Sequence, residues 1–435
     1  MTSSPALQLA YFADDFTGST DALEFLTRAG LKTALFLEPP SPEQLARHSG
    51  LQAIGVAGLT RSLAPEPMEA VLRPAFTALR ALAPRHVHYK VCSTFDSSPT
   101  VGSIGRAIDV GAAIFQNKFV PLLVGAPALG RYCVFGQLFA RYGIGSAGAI
   151  HRLDRHPAIS RHPVTPMTEA DLLVHLSRQT SKRTALLDLL QLDLPATETR
   201  AALDALLSKG AEVVLFDLLH AHQLARIGSL IDSYASHERP LFSVGSSGIE
   251  MALGAHLTGL TKPTLAPFQS PGPAQPLLVI SGSCSPVTAG QISWALAHDF
   301  TSIALAPDGS NLTETTAATI TALRAGQHTL VYTSRGEAGS PTPAAILGTA
   351  LGQLACTALA QTKIKRLVVA GGDTSSYAAR ALGLESLAMI APLAPGAPLC
   401  RACAPGSPAD GIEINFKGGQ VGSENYFGKA AEGKS

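Results

Sequence analysis

Short runs of β-branched and aliphatic residues alternate along the chain with longer Ala/Leu-rich stretches of helical period. That alternation is the pattern of strands buried on both faces and linked by crossover helices in parallel sheets. The first predicted strand runs from Leu7 to Phe12 and ends in Asp14-Asp15-Phe16-Thr17-Gly18, before a helix over Ser19 to Ala29. A second, His86 to Val91, opens into Cys92-Ser93-Thr94-Phe95-Asp96-Ser97-Ser98-Pro99, with a helix from about Thr100. Further strands are expected at Phe119 to Val124, Ala211 to Phe216 and Leu241 to Val244, the last followed by Gly245-Ser246-Ser247-Gly248. Five prolines between Thr261 and Pro276, with no apolar periodicity, read as a linker. Strands resume at Leu277 to Ser281, Thr329 to Thr333 and Arg366 to Ala370. The fold class is therefore α/β, with two domains, each a mainly parallel sheet flanked by helices. They are expected at residues 1–260 and 276–435, with a Pro-rich linker at 261–275.

Composition narrows the function. The 435 residues are 46% apolar and only 15% charged, enough to bury a large core and too apolar for disorder. Lys and Arg (33) nearly balance Asp and Glu (32) for a net charge of +1, which argues against nucleic acid as a partner. The 40 glycines and 30 prolines suit a loop-rich α/β enzyme better than a helical bundle. The N-terminus lacks a basic region and its apolar stretch breaks at Asp14, unlike a signal peptide. Apolar runs such as Phe119 to Val124 fall far short of the ~20 residues that span a bilayer. Six cysteines are too sparse for a disulfide scaffold. These features predict a cytoplasmic protein with no membrane partner. Cys400-Arg401-Ala402-Cys403 has CxxC spacing without a second pair and reads as two loop thiols.

Two motifs mislead. Gly143-Ile144-Gly145-Ser146-Ala147-Gly148 fits GxGxxG, with Glu169 downstream as a ribose acid, but no strand precedes it. Pro157, Pro163 and Pro166 also follow where a helix should run. Gly428 to Ser435 matches the Walker A pattern, yet the chain stops where a phosphate-binding helix should start, and the segment reads as a frayed tail.

Other segments have better context. Gly282-Ser283-Cys284-Ser285-Pro286 follows a strand, with Ser285 a natural N-cap and Pro286 at the first helical position. Gly371-Gly372-Asp373-Thr374-Ser375 follows another and opens a helix through about Leu382, and Lys417-Gly418-Gly419-Gln420-Val421-Gly422 follows an apolar alternation. Three such turns at carboxyl ends of strands in one domain favour a nucleotide, because glycines admit close backbone approach and free amides attract an anion. In the first half, Asp14 and Asp15 end a strand, where an acidic pair can hold Mg2+ or accept a hydroxyl proton, or simply cap the helix. Lys90 closes a strand beside Ser93, Thr94, Asp96 and Ser97, either as a strand-end charge or as a clamp for a carboxylate or phosphate. His151, Arg152, Asp154, Arg155, His156, Arg161 and His162 form a basic, loop-like segment whose arginines could bind a carboxylate.

Together these residues resemble the four-carbon acid sugar kinase family. The likeness runs through Asp14-Asp15-Phe16-Thr17-Gly18 with Asp21, Lys90 to Ser98, and His162-Pro163-Val164-Thr165-Pro166-Met167 with Glu169. It continues through Gly282 to Ser285, Gly371 to Ser375 and the Lys417 cluster. Many members read Lys-x-Asp-Ser-Thr followed by Arg-Gly, where this chain has Lys90-Val91-Cys92-Ser93-Thr94-Phe95-Asp96. Members often end Lys-Ser-Gly-Asn-Phe-Gly, where this chain has Lys417-Gly418-Gly419-Gln420-Val421-Gly422. The resemblance implies a sugar-binding N-terminal domain, a nucleotide-binding C-terminal domain and an interdomain active-site cleft. It implies transfer of the ATP γ-phosphate, with Mg2+ on its phosphates, to a terminal hydroxyl of a small sugar acid of threonate, erythronate or 3-oxo-tetronate type. The altered Cys92 to Ser98 segment raises a branched acid such as 3-oxo-isoapionate as the alternative, and a nucleotide or sugar-acid sensor without turnover as another. Asp15, then Asp14, is the expected base, and Lys90, Ser93, Thr94, Asp96, Arg152 and Arg155 are expected at the acid. Ser283, Ser285, Gly371, Gly372, Asp373, Thr374, Ser375, Gly418 and Gly419 are expected at ATP. Expected partners are these small molecules, with homo-oligomerisation left open.

Overall fold

The computed structural model of the chain describes residues 6–142, 148–161, 164–259, 268–334 and 342–434. In chain order the first elements are β1 (Leu9–Ala13), α1 (Phe16–Arg28), β2 (Thr33–Phe36), α2 (Pro42–Ala46), β3 (Ala53–Ala57) and α3 (Pro65–Ala81). Then come β4 (His86–Lys90), α4 (Ile104–Phe115), β5 (Val120–Leu123), β6 (Arg131–Val134), β7 (Gln137–Arg141), β8 (Ile150–Arg152) and α5 (Leu172–Leu176). The half closes with β9 (Thr184–Leu187), α6 (Leu189–Leu192), α7 (Ala196–Ser208), β10 (Val213–Phe216), α8 (Leu224–Asp232), β11 (Leu241–Gly245) and α9 (Gly248–Thr258). The second half runs β12 (Leu277–Ser281), α10 (Pro286–Leu296), β13 (Thr301–Ala304), α11 (Leu312–Arg324), β14 (Thr329–Tyr332), α12 (Ala344–Gln361) and β15 (Arg366–Ala370). It ends with α13 (Gly372–Ala381), β16 (Ser386–Ala394), β17 (Ala397–Cys403), β18 (Glu413–Lys417) and α14 (Tyr426–Glu432).

The residues form two compact units, both discontinuous in sequence. Asp15–Glu24 and Ala34–Leu37 group with the C-terminal half, so the chain changes unit between Asp14 and Asp15. In the first unit the strand order is β3-β1-β4-β11-β5-β10-β9, every neighbouring pair parallel. Strands β1, β4 and β11 are buried at every position, as strands covered on both faces are, although β4 carries His86, His88 and Lys90. Their core is aromatic at its centre, with Phe76 packed against Phe12, Tyr89, Phe115 and Phe242. Strands β6, β7 and β8 form a separate antiparallel sheet.

The second unit orders its strands β13-β14-β12-β15-β18-β17-β16, with β2 beside β16. The first five are mutually parallel and the remainder pair antiparallel. Helix α12 is long and apolar enough to cross a membrane by composition, but Leu347, Leu351, Leu354 and Leu359 are buried.

Several expectations are corrected. Helix α1 starts at Phe16 rather than Ser19, and α4 at Ile104 rather than Thr100, where Ser103 Oγ caps Arg106 N at 3.1 Å. The CxxC cysteines lie on strand β17 rather than in a loop, and all six thiols are free. Part of the basic segment is ordered as β8 and two 3-10 turns. The Walker-like tail is not frayed: Gly428 lies inside α14, whose Tyr426, Phe427, Ala430 and Ala431 are buried. The pattern therefore lacks the loop that a phosphate needs. Residues 143–147 of the GxGxxG-like segment, His162, Ser435 and positions 260–267 of the linker region lie outside the described residues.

One carboxylate holds the amino end of β4 to helices α8 and α9. Asp232, at the end of α8, accepts from Arg85 at 2.5 and 3.0 Å and contacts His86 at 2.8 Å and His256 at 3.2 Å. Partial burial pushes Asp232 upward, but the His86 and Arg85 hydrogen bonds outweigh it and hold the group well below the carboxylate range. A depressed native pKa gives stability that is present above the unfolded value of ~3.9 and is lost as pH falls below it. Asp232→Asn is expected to lower stability by about 2–3 kcal/mol at pH 7. Urea unfolding should show the gap between variant and parent closing as pH falls towards 3.

Candidate active site

In the first unit, charge gathers where β1, β3 and β4 end. Asp14 N donates to Lys90 O at 2.9 Å, carrying the β1–β4 pairing one residue past the strands. The Asp14 side chain is buried, and Arg61, from the loop after β3, grips it as a fork, Nε to Oδ2 at 3.1 Å and Nη2 to Oδ1 at 3.0 Å. Two parallel charge-assisted bonds fix both groups in one plane. Lys90 is also buried, its Nζ donating to Val91 O at 3.1 Å.

The loop after β4 lies beside them. Phe95 adopts a left-handed backbone (φ 58°) while its side chain is fully buried. Such a conformation is strained for an aromatic residue and needs support from its surroundings. Ser97 supplies it, donating to Phe95 O at 2.9 Å while its hydroxyl meets His175 Nε2 at 2.9 Å and accepts from Gln179 at 3.0 Å. Burial, then the charge of Asp96, pushes the Cys92 thiol up to about 11, so the residue is a protonated polar wall rather than a nucleophile. Ser93 and Thr94 are buried, and Asp96 Oδ1 is buried without a hydrogen-bond partner among the described residues.

Arg152 and Arg155 sit elsewhere in the first unit. Arg152 closes β8 and is forked onto Asp154 at 2.7 and 2.6 Å, and Arg155 is exposed in the turn that follows. Among the described residues, no hydrogen bond joins them to the Asp14–Arg61 group.

Asp15 belongs to the second unit and does what a helix start asks of an aspartate. Its Oδ1 accepts Gly18 N at 2.6 Å and its Oδ2 accepts the Thr17 hydroxyl at 2.9 Å. Phe16 packs on Phe416 of β18, ring centroids 4.7 Å apart, which sets this helix start beside the β18 turn.

Three glycine turns of the second unit converge. Gly282 N donates to Ala370 O at 3.2 Å, and Gly371 N to Lys417 O at 2.9 Å, so each turn is hydrogen-bonded to its neighbour. A Cβ on Gly419 would lie 2.8 Å from Ser283 Oγ and 2.9 Å from Ser285 Cβ. Gly371 has φ 122°, a value side chains rarely allow, and opens α13 with Ser375 Oγ donating back to its carbonyl at 2.6 Å. Ser285 caps α10 at Val287 N (3.2 Å) and takes Ser283 Oγ on its own amide at 3.2 Å. Thr374 is buried behind Gly371, whereas Asp373 is exposed on the first turn of α13. Gln291 Nε2 reaches the carbonyls of Val421, Gly422 and Ser423, fixing the far side of the Gly418–Gly419 turn. Two helix starts and a glycine turn, edged by the small side chains of Ser283, Ser285 and Thr374, can cradle an extended anion.

Arg61, Thr288, Gln291 and the side chain of Lys417 are absent from the residues that sequence singled out for the site. Their partners lie 47, 131, 130 and 129 positions away, and no local pattern announces such pairs.

Residues 9–253 match the family of sugar-binding N-terminal domains, and residues 278–427 the family of nucleotide-binding C-terminal domains. The chain is 43% identical to a 3-oxo-isoapionate kinase of Paraburkholderia graminis, over 100% of this chain and 96% of that one. It is 30% identical to a 3-oxo-tetronate kinase of Methylobacterium radiotolerans, over 98% and 99% of the two chains. A solved structure from Salmonella typhimurium LT2 superposes with a TM-score of 0.77 at 25% identity, covering 98% of this chain and 100% of that one. The glycine cradle lies within the nucleotide-binding match and the Asp14–Arg61–Lys90 group within the sugar-binding match. The chain belongs to the four-carbon acid sugar kinase family and is a kinase of sugar acids.

Proposed function

We propose that the chain transfers the γ-phosphate of ATP to the terminal hydroxyl of 3-oxo-isoapionate, or of a closely similar branched 3-oxo acid. The observation that carries this reading is the full-length 43% identity to a 3-oxo-isoapionate kinase, against 30% to a 3-oxo-tetronate kinase. The Lys90 to Asp96 segment supports it, because Cys92 and a left-handed Phe95 stand where many members carry Asp and Arg-Gly. A bulkier or branched acid is what such a reshaped, less charged wall would suit.

Phosphoryl transfer asks for alignment and charge neutralisation rather than covalent help. ATP lies in the cradle of Ser283, Ser285, Gly371, Gly372, Asp373, Thr374, Ser375, Gly418 and Gly419. The acid is held at the first unit's strand ends by Lys90, Ser93, Thr94 and Asp96, with Arg61 as a second cation. Arg152 and Arg155 remain outer candidates for its carboxylate. Asp15 is the base that orients the attacking hydroxyl, and Asp14, forked to Arg61, fixes the approach. A magnesium ion would ride on the nucleotide phosphates and offset their charge. Transfer also asks that water be kept from the reacting phosphate. Six free thiols fit a reducing, cytoplasmic setting.

An ADP-release assay over a panel of sugar acids tests the reading. Turnover is expected with 3-oxo-isoapionate at a kcat/KM at least ~10-fold above that for 3-oxo-tetronate. The reverse order would reassign the substrate, and no turnover with any acid would leave a sensor. Asp15→Asn is expected to lower kcat by at least ~100-fold with ADP affinity within about twofold of the parent. Retention of most activity would transfer the base to Asp14. Gly419→Ala presses a methyl against Ser283 and Ser285. It should raise the KM for ATP by roughly tenfold while leaving that for the acid unchanged.

A further inference from the structure

Lys417 closes β18 and is completely buried. Its Nζ donates to Thr288 Oγ1 at 2.9 Å, and that hydroxyl donates onward to Gly419 O at 2.9 Å. Its carbonyl meanwhile accepts Gly371 N. The residue thus touches the β15 turn through its main chain, and α10 and the Gly418–Gly419 turn through its side chain. The face of Tyr426 lies 5.6 Å from Nζ.

The neighbouring elements bring charged groups, but none pairs with Lys417 among the described residues. Asp15 precedes helix α1, which carries Asp21, Glu24 and Arg28; α13 carries Asp373 and Arg380, and α14 carries Lys429, Glu432 and Tyr426, whose phenol is held neutral by burial. Strand β17 carries Cys400, a thiol that burial likewise keeps protonated, and Arg401, which pairs with Glu413 of β18. Strand β15 carries Arg366, also paired with Glu413, and α10 has no titratable side chain. Burial without a counter-charge disfavours the ammonium and brings Lys417 down to about 7.

We infer that Lys417 is a positioning residue that takes up a proton when a nucleoside polyphosphate enters the cradle. The phosphates supply the missing counter-charge, and protonation fixes the direction of the relay. An ammonium can only donate, so Thr288 must turn its own hydrogen to Gly419 O. A neutral amine can accept instead and release that carbonyl. The charged state therefore keeps the Gly419 carbonyl turned towards Thr288 and away from the anion. The inference rests on the nucleotide reading of this cradle and is independent of which acid is the substrate.

Calorimetric titration of the full chain with ADP at pH 8, in HEPES and in Tris, measures proton linkage directly from the difference in apparent enthalpy. Uptake of most of one proton per ADP is expected, growing as pH rises through about 7. Lys417→Met should bind ADP about tenfold more weakly and show no uptake. A purely structural lysine would alter affinity without moving a proton. ADP binding with equal enthalpies in both buffers would overturn the inference and leave the nucleotide reading standing, as would uptake that persists in Lys417→Met. No ADP binding to the parent would overturn both. If Lys417→Met does not fold, the pH course of uptake in the parent decides: a rise through neutrality supports the inference and a flat course contradicts it.

Discussion

The fork between Arg61 and Asp14 is the constraint on which the site depends. Two adjacent aspartates at a strand end cannot both remain unpaired next to buried backbone without a large desolvation penalty. Arg61 neutralises the first, and the second turns to satisfy the opening amide of α1. Successive side chains at the end of an extended strand point to opposite sides, which lets neighbours take opposite assignments. The division into units follows the same line: Asp14 is counted with the first unit and Asp15 with the second. A single dipeptide thereby gives each half one carboxylate, each with a partner that fixes its orientation.

The two halves offer different means of holding an anion. The first offers side-chain charge, with Arg61 and Lys90 at the ends of parallel strands. The second offers main-chain amides at two helix starts and a glycine turn, where added bulk would collide with Ser283 and Ser285. Local charge of this kind explains why a chain with a net charge of +1 can serve acidic small molecules.

Much of this was legible in the sequence because the relevant signals are local. Strands β12 and β15 are short apolar runs cut off by glycine, and Ser285-Pro286 is a self-contained helix start. The glycine turns that end these strands could be found for the same reason. Long-range pairings were not legible: nothing around Arg61 marks it as the partner of Asp14, and nothing around Thr288 links it to Lys417. The β16–β17 hairpin escaped notice because Ser386 to Ala394 is apolar without a clear period, and its Pro395-Gly396 turn resembles the prolines of ordinary loops. Asp15 shows a further limit. Its spacing to Gly18 fits a cap as well as a base, and the geometry adds the cap without removing the chemistry.

The central claim is that the chain makes a phosphate ester at a terminal hydroxyl of a branched 3-oxo acid. Phosphorus NMR of the full chain incubated with ATP, Mg2+ and 3-oxo-isoapionate tests it most directly. The account predicts a new phosphomonoester resonance, split by two methylene protons, that grows as the γ-phosphate signal of ATP declines. Inorganic phosphate as the only new phosphorus signal beside ADP, or an unchanged ATP spectrum, would contradict it.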